Sequence, residues 1–426
     1  MSSTPSIGDP VATEAATGTT ARTGTIRRVD IVVGTRPEAI KMAPVVRSLA
    51  AANGIDVRLV CTGQHRGMLD EVMTLFGLVP DIDLDVTSRA TGLSGTCAAM
   101  LAGLSETFAS ARPDTVLVHG DTSTTLAGAL AAFHARIPVA HVEAGLRTGD
   151  ITAPWPEEGN RRLVAAVAAR HYAPTVGARD ALVAENVDPG SILVTGNTVI
   201  DALLATVDRL ETEQGLAASV RAGTGLPSEV SGGRSSDGRH VVLVTGHRRE
   251  SFGDGFERIC TALERLAARE DIDVVYPVHP NPAVREPVRR RLGKAERVHL
   301  IEPQGYLAFV ELMRAARLIV TDSGGIQEEA PSLGVPVLVM RETTERPEAV
   351  AAGTVRLVGT DADTIVAEAA RLLDDPDHHA RMSRATNPYG DGKAAQRIAA
   401  DVAARLAAVP EGPISSSTPR PEAPAS

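Results

Sequence analysis

Glu143 and Glu157 flank a loop that also holds Arg147, Arg161 and the chain's single tryptophan, Trp155 (HVEAGLRTGDITAPWPEEGNR, residues 141–161). The apolar run Ile137–Val142 before it reads as a buried parallel strand, so Glu143 falls where a strand ends. Ligands of open α/β sheets bind in the crevice outside the carboxyl ends of the strands. Carboxylates gathered there beside arginines point to proton transfer on an anionic substrate, although a loop of ion pairs has the same composition. LVHGDTSTT, residues 117–125, adds Asp121 after another apolar run. Its side chain either caps the following helix or points into the cleft beside Glu143. Acidic groups sharing one pocket are expected to raise one another's pKa toward neutrality.

Three further segments suit an anion. VGTRPEAIKMA, residues 33–43, sets Arg36 in a strand-to-helix turn, Pro37 at the first helical position and Lys41 just over one turn later. A helix start attracts phosphate and Arg36 adds bidentate contacts, the bland alternative being a surface ion pair. TGHRRESFG, residues 245–253, puts His247, Arg248 and Arg249 at a strand's end, a histidine for acid–base work and arginines for a pyrophosphate. In TDSGGIQEEAPSLGVP, residues 321–336, a strand ends at Asp322, and Ser323, Gly324 and Gly325 open a helix whose N–H groups form a phosphate cradle. Glu329 in that helix can accept two hydrogen bonds from a ribose diol, and Arg346, in TTERPEA, lies near the same strand end. Phe309 either stacks on a nucleobase or belongs to its helix's apolar face. GxGxxG is absent from the first turn, so no nicotinamide cofactor is expected.

Positioning these residues takes alternating strands and helices, the pattern of βαβ units and parallel sheets. Strands are expected at Asp30–Val33, Val57–Cys61, Val116–Val118, Val139–Val142 and Ile192–Val194, then at Val241–Val244, Val274–Tyr276, Val298–Ile301, Leu318–Val320 and Val335–Val339. IVVGTRPEA and VLVTGHRRES open the two halves alike, each with a strand before Gly-x-Arg. The fold class expected is therefore α/β, with two Rossmann-like domains facing across a cleft. The chain of 426 residues divides into an N-terminal domain, 27–205, and a C-terminal nucleotide-binding domain, 206–390, which contains a flexible Gly/Ser-rich loop at 222–239. A last helix, 391–407, can pack on either domain, and the tails 1–26 and 408–426 read as disordered.

A formal charge of −10 leaves no basic surplus for nucleic acid. Only three of the 43 basic residues are lysines, which draws attention to Lys41. The three cysteines, Cys61, Cys97 and Cys260, show neither metal spacing nor a disulfide framework and read as reduced, buried thiols. No metal, no membrane span and no signal peptide are expected, which suggests a cytoplasmic protein.

Taken together, GTRPEAIKMAP, VHGDT, HVEAGLRTGD, PWPEE, GNTVIDAL, TGHRRESFG, YPVH, TDSGGIQEEAPSLG, RETTERPEA and NPYGDG resemble the bacterial non-hydrolysing UDP-N-acetylglucosamine 2-epimerases. The resemblance is collinear over about residues 28 to 405. It implies a GT-B type fold, no cofactor and a homodimer. It also implies interconversion of UDP-N-acetylglucosamine and UDP-N-acetylmannosamine for cell-surface polysaccharide synthesis. The implied route is anti elimination of UDP through 2-acetamidoglucal and re-addition from the other face. By resemblance, Asp121, Glu143 and Glu157 transfer protons and His247 acts near the leaving diphosphate. Arg36, Ser323, Gly324 and Glu329 match UDP-binding positions, Phe309 lies near uracil, and Lys41 and Arg346 match further substrate contacts. Gln64 and His279 match positions of an activating site for the same nucleotide sugar, where Gly67 departs from the longer residue many relatives carry. The rival readings are a hydrolysing epimerase, a GT-B glycosyltransferase and a non-catalytic nucleotide-sugar sensor.

Overall fold

Apolar runs too continuous to face water on either side become the strands of two fully parallel sheets. The computed structural model describes residues 26–63, 66–86, 90–227, 230, 238–248 and 252–408. The tails, most of the Gly/Ser-rich stretch and Gln64 lie outside the described residues. The first sheet carries β1 (Arg27–Val33), β2 (Ile55–Cys61), β3 (Ile82–Asp83), β4 (Thr115–His119), β5 (Val139–Val142), β6 (Arg170–Ala173) and β7 (Ile192–Val194). Their order is β3-β2-β1-β4-β5-β6-β7. The second sheet carries β8 (His240–Thr245), β9 (Ile272–Pro277), β10 (Val298–Ile301), β11 (Leu318–Thr321), β12 (Val337–Val339) and β13 (Val355–Leu357), ordered β10-β9-β8-β11-β12-β13. Both orders reverse once, between β1 and β4 and between β8 and β11, and those are the places where a doubly wound sheet opens a crevice. No helix among the described residues is long and apolar enough to cross a membrane.

Three strands escape the hydrophobic pattern. β3 is two residues long, β13 alternates around Arg356, and β6 begins Arg170-His171. Arg170 can start a buried strand because its guanidinium reaches Asp401, with Nη2–Oδ1 at 2.6 Å. β12 starts at Val337 rather than Val335 because Pro336 has no N–H for the ladder; its carbonyl accepts from the Ile319 N–H at 3.0 Å.

The first crevice is built tightly. A Cβ on Gly34, just after β1, would stand 2.1 Å from Thr124 Oγ1 and 2.2 Å from Thr62 Oγ1, so only glycine lets the β1 turn approach the helix Ser123–His134. Glu38, in the first turn of the helix Arg36–Ala50, accepts the N–H groups of Gly34 (2.7 Å) and Thr35 (2.8 Å). Its other oxygen takes the hydroxyls of Thr122 and Thr125 beyond β4. One buried carboxylate thus joins both turns of the crevice.

The last helix, Ala394–Ala408, returns to the first domain and packs on the helices Arg36–Ala50 and Thr198–Thr212. The Asp201 carboxylate accepts the N–H groups of Ala394 and Ala395 at its start, and Asp401 takes Arg170 and the Tyr172 hydroxyl. Burial pushes the Asp401 carboxyl up, but the bonds from Arg170 and Tyr172 outweigh it and hold the pKa below the ordinary value. Stability from this tie is present at neutral pH and lost as pH falls through that lowered pKa. Asp401→Ala should cost about 2 kcal/mol at neutral pH, with a smaller deficit in acid, as read by urea unfolding. An unchanged midpoint at both pH values would dismiss the tie.

Candidate active site

Most of the candidate residues lie in the turns that follow β1, β4, β5, β8 and β11. Glu143 follows β5 with φ of 63°, a left-handed backbone that a non-glycine residue seldom adopts and that marks strained, functional positions. It lies against the turn after β4: a Cβ on Gly120 would be 3.9 Å from Glu143 Oε1. The buried His141 donates from Nε2 to the Gly120 carbonyl at 2.7 Å, and burial pushes its pKa down to about 3, so this ring is neutral.

Glu143 Oε2 is bonded by the Lys41 ammonium and accepts from Asn197 Nδ2 at 2.9 Å, with His119 Nε2 at 3.6 Å. The same Asn197 nitrogen donates to Glu328 Oε2 at 2.9 Å, and Arg346 Nε bonds the other Glu328 oxygen. Lys41–Glu143–Asn197–Glu328–Arg346 is therefore one unbroken chain from the first domain into the second. Burial alone would neutralise Glu143, but the charges of Lys41 and His119 outweigh it and hold its pKa well below the ordinary value. Burial likewise opposes the Lys41 charge, and Glu143 and Glu328 overcome it, raising its pKa. The mutual raising expected of clustered acids is thus not what happens at Glu143, because each carboxylate of the chain has a cation against it. It happens instead at Glu329, pushed up to about 8 by burial and then by the neighbouring Glu328 charge, with Lys41 and Arg36 opposing.

Asp121 is gripped through Oδ2 by Arg161, from Nε at 2.9 Å and Nη2 at 2.6 Å, while its carbonyl accepts from Asn160. The cap of the following helix is Thr122, not Asp121. Of the paired glutamates, Glu158 is structural: it accepts the Thr148 N–H and pairs with Arg161 and Arg162. Glu157, first in the helix Glu157–Val167, keeps a buried Oε2 with no hydrogen-bond partner among the described residues. Arg147 is spent on Glu185, bonded at 2.9 and 2.7 Å.

On the second domain, Asp322 at the end of β11 accepts the N–H groups of His247 (2.7 Å) and Arg248 (2.8 Å) through Oδ2. Its Oδ1 lies 3.5 Å from His247 Nδ1. The His247 ring stacks on His279 at 5.2 Å, so these two candidates share one surface. The turn after β11 continues through Ser323 into the short helix Gly324–Glu329. A Cβ on Gly324 would stand 3.6 Å from Arg346 Cζ and 3.7 Å from Arg248 Nη2, which puts two guanidinium groups beside Gly324 at the start of that helix. Phe309 is half-buried and packs against the core. Charge from Arg36 reaches both Glu329 and the buried Tyr306 phenol, so the first domain's turn faces the second domain's helix. Among the described residues no group of His, Cys, Asp and Glu could hold a metal.

Asn197, His119 and Glu328 belong to this site although nothing in their local pattern singles them out. Asn197 caps the helix Thr198–Thr212, and Glu328 stands next to Glu329 in sequence.

The family described as UDP-N-acetylglucosamine 2-epimerase matches residues 47–403. The UDP-N-acetylglucosamine 2-epimerase of Salmonella typhimurium is 56% identical over 87% of this chain and 97% of that protein. The crystal structure of UDP-GlcNAc 2-epimerase from Neisseria meningitidis bound to UDP-GlcNAc is 44% identical, covers 88% of this chain and 100% of that one, and has a TM-score of 0.81. The Methanocaldococcus jannaschii UDP-GlcNAc 2-epimerase in complex with UDP-GlcNAc and UDP is 31% identical over 88% of this chain and 99% of that one, with a TM-score of 0.73.

The charge chain predicts its own double-mutant cycle. Lys41→Met strands a buried carboxylate and should cost about 3 kcal/mol near neutral pH. The deficit should shrink in acid, where Glu143 can take up a proton, and the double variant Lys41→Met/Glu143→Gln should recover much of it. Chemical unfolding of Lys41→Met, Glu143→Gln and the double variant reads the cycle; strict additivity would break the pairing.

Proposed function

Since the chain belongs to the UDP-N-acetylglucosamine 2-epimerase family, we propose that it interconverts UDP-N-acetylglucosamine and UDP-N-acetylmannosamine without hydrolysis, as a homodimer supplying polysaccharide synthesis. The observation that carries this reading is the chain from Lys41 to Arg346. It begins at the Lys41 ammonium on Glu143, whose backbone is left-handed, and ends in the Arg346 guanidinium beside Gly324.

The sugar C2–H has no adjacent carbonyl and is not acidic, so a carboxylate cannot simply remove it and return it. Elimination solves this. A carboxylate takes the C2 proton, the C–H pair becomes the C1=C2 double bond, and the C1–O pair leaves with UDP. In the return half a UDP oxygen re-forms the C1–O bond, and an acid on the opposite face supplies the C2 proton. Asp121, Glu143 and Glu157 supply the proton-transfer groups. Arg248, Arg346 and the Gly324 and Gly325 N–H groups hold the diphosphate, with Ser323 and His247 beside it. Glu329 takes the ribose diol, Phe309 serves the uracil, and Arg36 and Lys41 complete the substrate contacts. Enclosing the departed UDP and the glycal between two domains favours re-addition over loss to water. The UDP-GlcNAc named in the Neisseria meningitidis structure supports the choice of substrate. His279, stacked on His247, is the remaining candidate for an activating site, with Gln64 as its proposed partner.

Incubation with UDP-N-acetylglucosamine in heavy water should place deuterium at C2 and yield intact UDP-N-acetylmannosamine, followed by proton NMR. Free sugar plus UDP would mean hydrolysis, and no C2 exchange would exclude an epimerase. Glu143→Gln, Asp121→Asn and His247→Asn should each lose roughly 100-fold or more in turnover while staying folded; a wild-type rate in any of them removes that residue from the catalytic set. UDP affinity should also rise with pH. Only an ionised Glu329, with its pKa of about 8, accepts both ribose hydroxyls. Calorimetry should therefore show about tenfold tighter UDP binding at about pH 9 than at about pH 7, and a flat profile in Glu329→Gln.

A further inference from the structure

We propose that Asn197 is a positioning residue that locks the Glu143 carboxylate to Glu328 of the facing domain, setting the proton-transfer half of the site only when the two domains are together. The proposal rests on the epimerase reading above.

Asn197 is 2% exposed, follows β7 and caps the helix Thr198–Thr212. Its Oδ1 accepts the Val199 N–H at 3.1 Å. That bond decides which way the amide faces: with oxygen on the helix, both hydrogens of Nδ2 point away from it. One goes to Glu143 Oε2 and the other to Glu328 Oε2, each at 2.9 Å. A primary amide is the smallest side chain that can cap a helix with one atom and bridge two carboxylates with another. The backbone is held as firmly, since the Asn197 N–H donates at 2.6 Å to the Tyr389 carbonyl on the stretch returning from the second domain. Beside it, Gly196 packs on Gly390, where a Cβ on Gly196 would be 3.3 Å from the Gly390 Cα.

The consequences for Glu143 are specific. The groups facing it are Lys41 from the first helix, His119 from β4 and, through Asn197, Glu328, with Arg346 behind. Lys41 neutralises Glu143 but, on a flexible stem, does not fix its direction. The rigid, capped amide does. Withdrawing Glu328 removes the anion that shares the amide and frees Asn197 to bond Glu143 differently, so domain separation reaches the carboxylate through one side chain.

Asn197→Asp keeps the cap, since Asp and Asn are equivalent there, but replaces the bridging donors with a third anion. Asn197→Ser keeps the cap but has one O–H in place of two amide hydrogens, so it cannot bridge both carboxylates. In the deuterium assay the wild type must exchange; its failure to do so removes the epimerase reading itself. Given exchange, Asn197→Asp should lose about 100-fold in kcat with little change in KM or in UDP affinity by calorimetry. The acid limb of its kcat–pH profile should move up by about one unit, because the added anion disfavours ionised Glu143. Asn197→Ser should lose kcat with the limb in place, and it carries the test if the aspartate variant does not fold. Unimpaired kcat in Asn197→Ser, or a loss matched by a lowered unfolding midpoint with no change in the kcat–KM split, would overturn the positioning role while leaving the epimerase reading standing.

Discussion

Two carboxylates shielded from water, Glu143 and Glu328, approach the same amide from opposite domains. Stripping a carboxylate of water costs several kcal/mol even after relaxation, so burial of either one dictates its neighbours. Glu143 requires Lys41, and Glu328 requires Arg346. The amide of Asn197 then relieves what would otherwise be repulsion between two anions. The placement of the helix Arg36–Ala50, the strained backbone at Glu143 and the approach of the second domain's short helix all serve this single electrostatic arrangement.

Rigid support lies one layer further out. Glu38 ties together the turns after β1 and β4, and Asp322 ties the turn after β8 to the end of β11. Each sheet thus uses a buried carboxylate at its reversal point to hold backbone N–H groups. That division of labour explains why so many acids populate the inner turns of this chain: some hold the backbone, others line the candidate site, and adjacency in sequence does not say which. Glu157 and Glu158 make the point, one with an oxygen unpartnered among the described residues and the other bound to the loop and two arginines.

The doubly wound architecture was legible because parallel strands buried on both faces are written as apolar runs, and the strand ends then located Asp121, Glu143, His247 and Ser323 without further help. β6 was hidden because Arg170 and His171 look like surface residues until the last helix supplies Asp401 from 231 positions away. The sign of the shift at Glu143 was unreadable for the same reason. Lys41 is 102 residues distant, and no local pattern says that a cation lands on that carboxylate rather than a second acid. Asn197 shows the same limit, since the two carboxylates it bridges lie 54 and 131 positions away.

The last helix has a consequence for how the protein is made. Ile398, Val402 and Leu406 are buried, and they cover part of the first domain with apolar surface that is translated only after the whole second sheet. During synthesis the first domain must therefore wait with that face open to water while the ribosome reads some two hundred further codons. A nascent chain with an uncovered apolar face is a target for chaperones and for self-association. The completed first domain is thus a late event on the ribosome, and the second domain can finish folding before the first is closed.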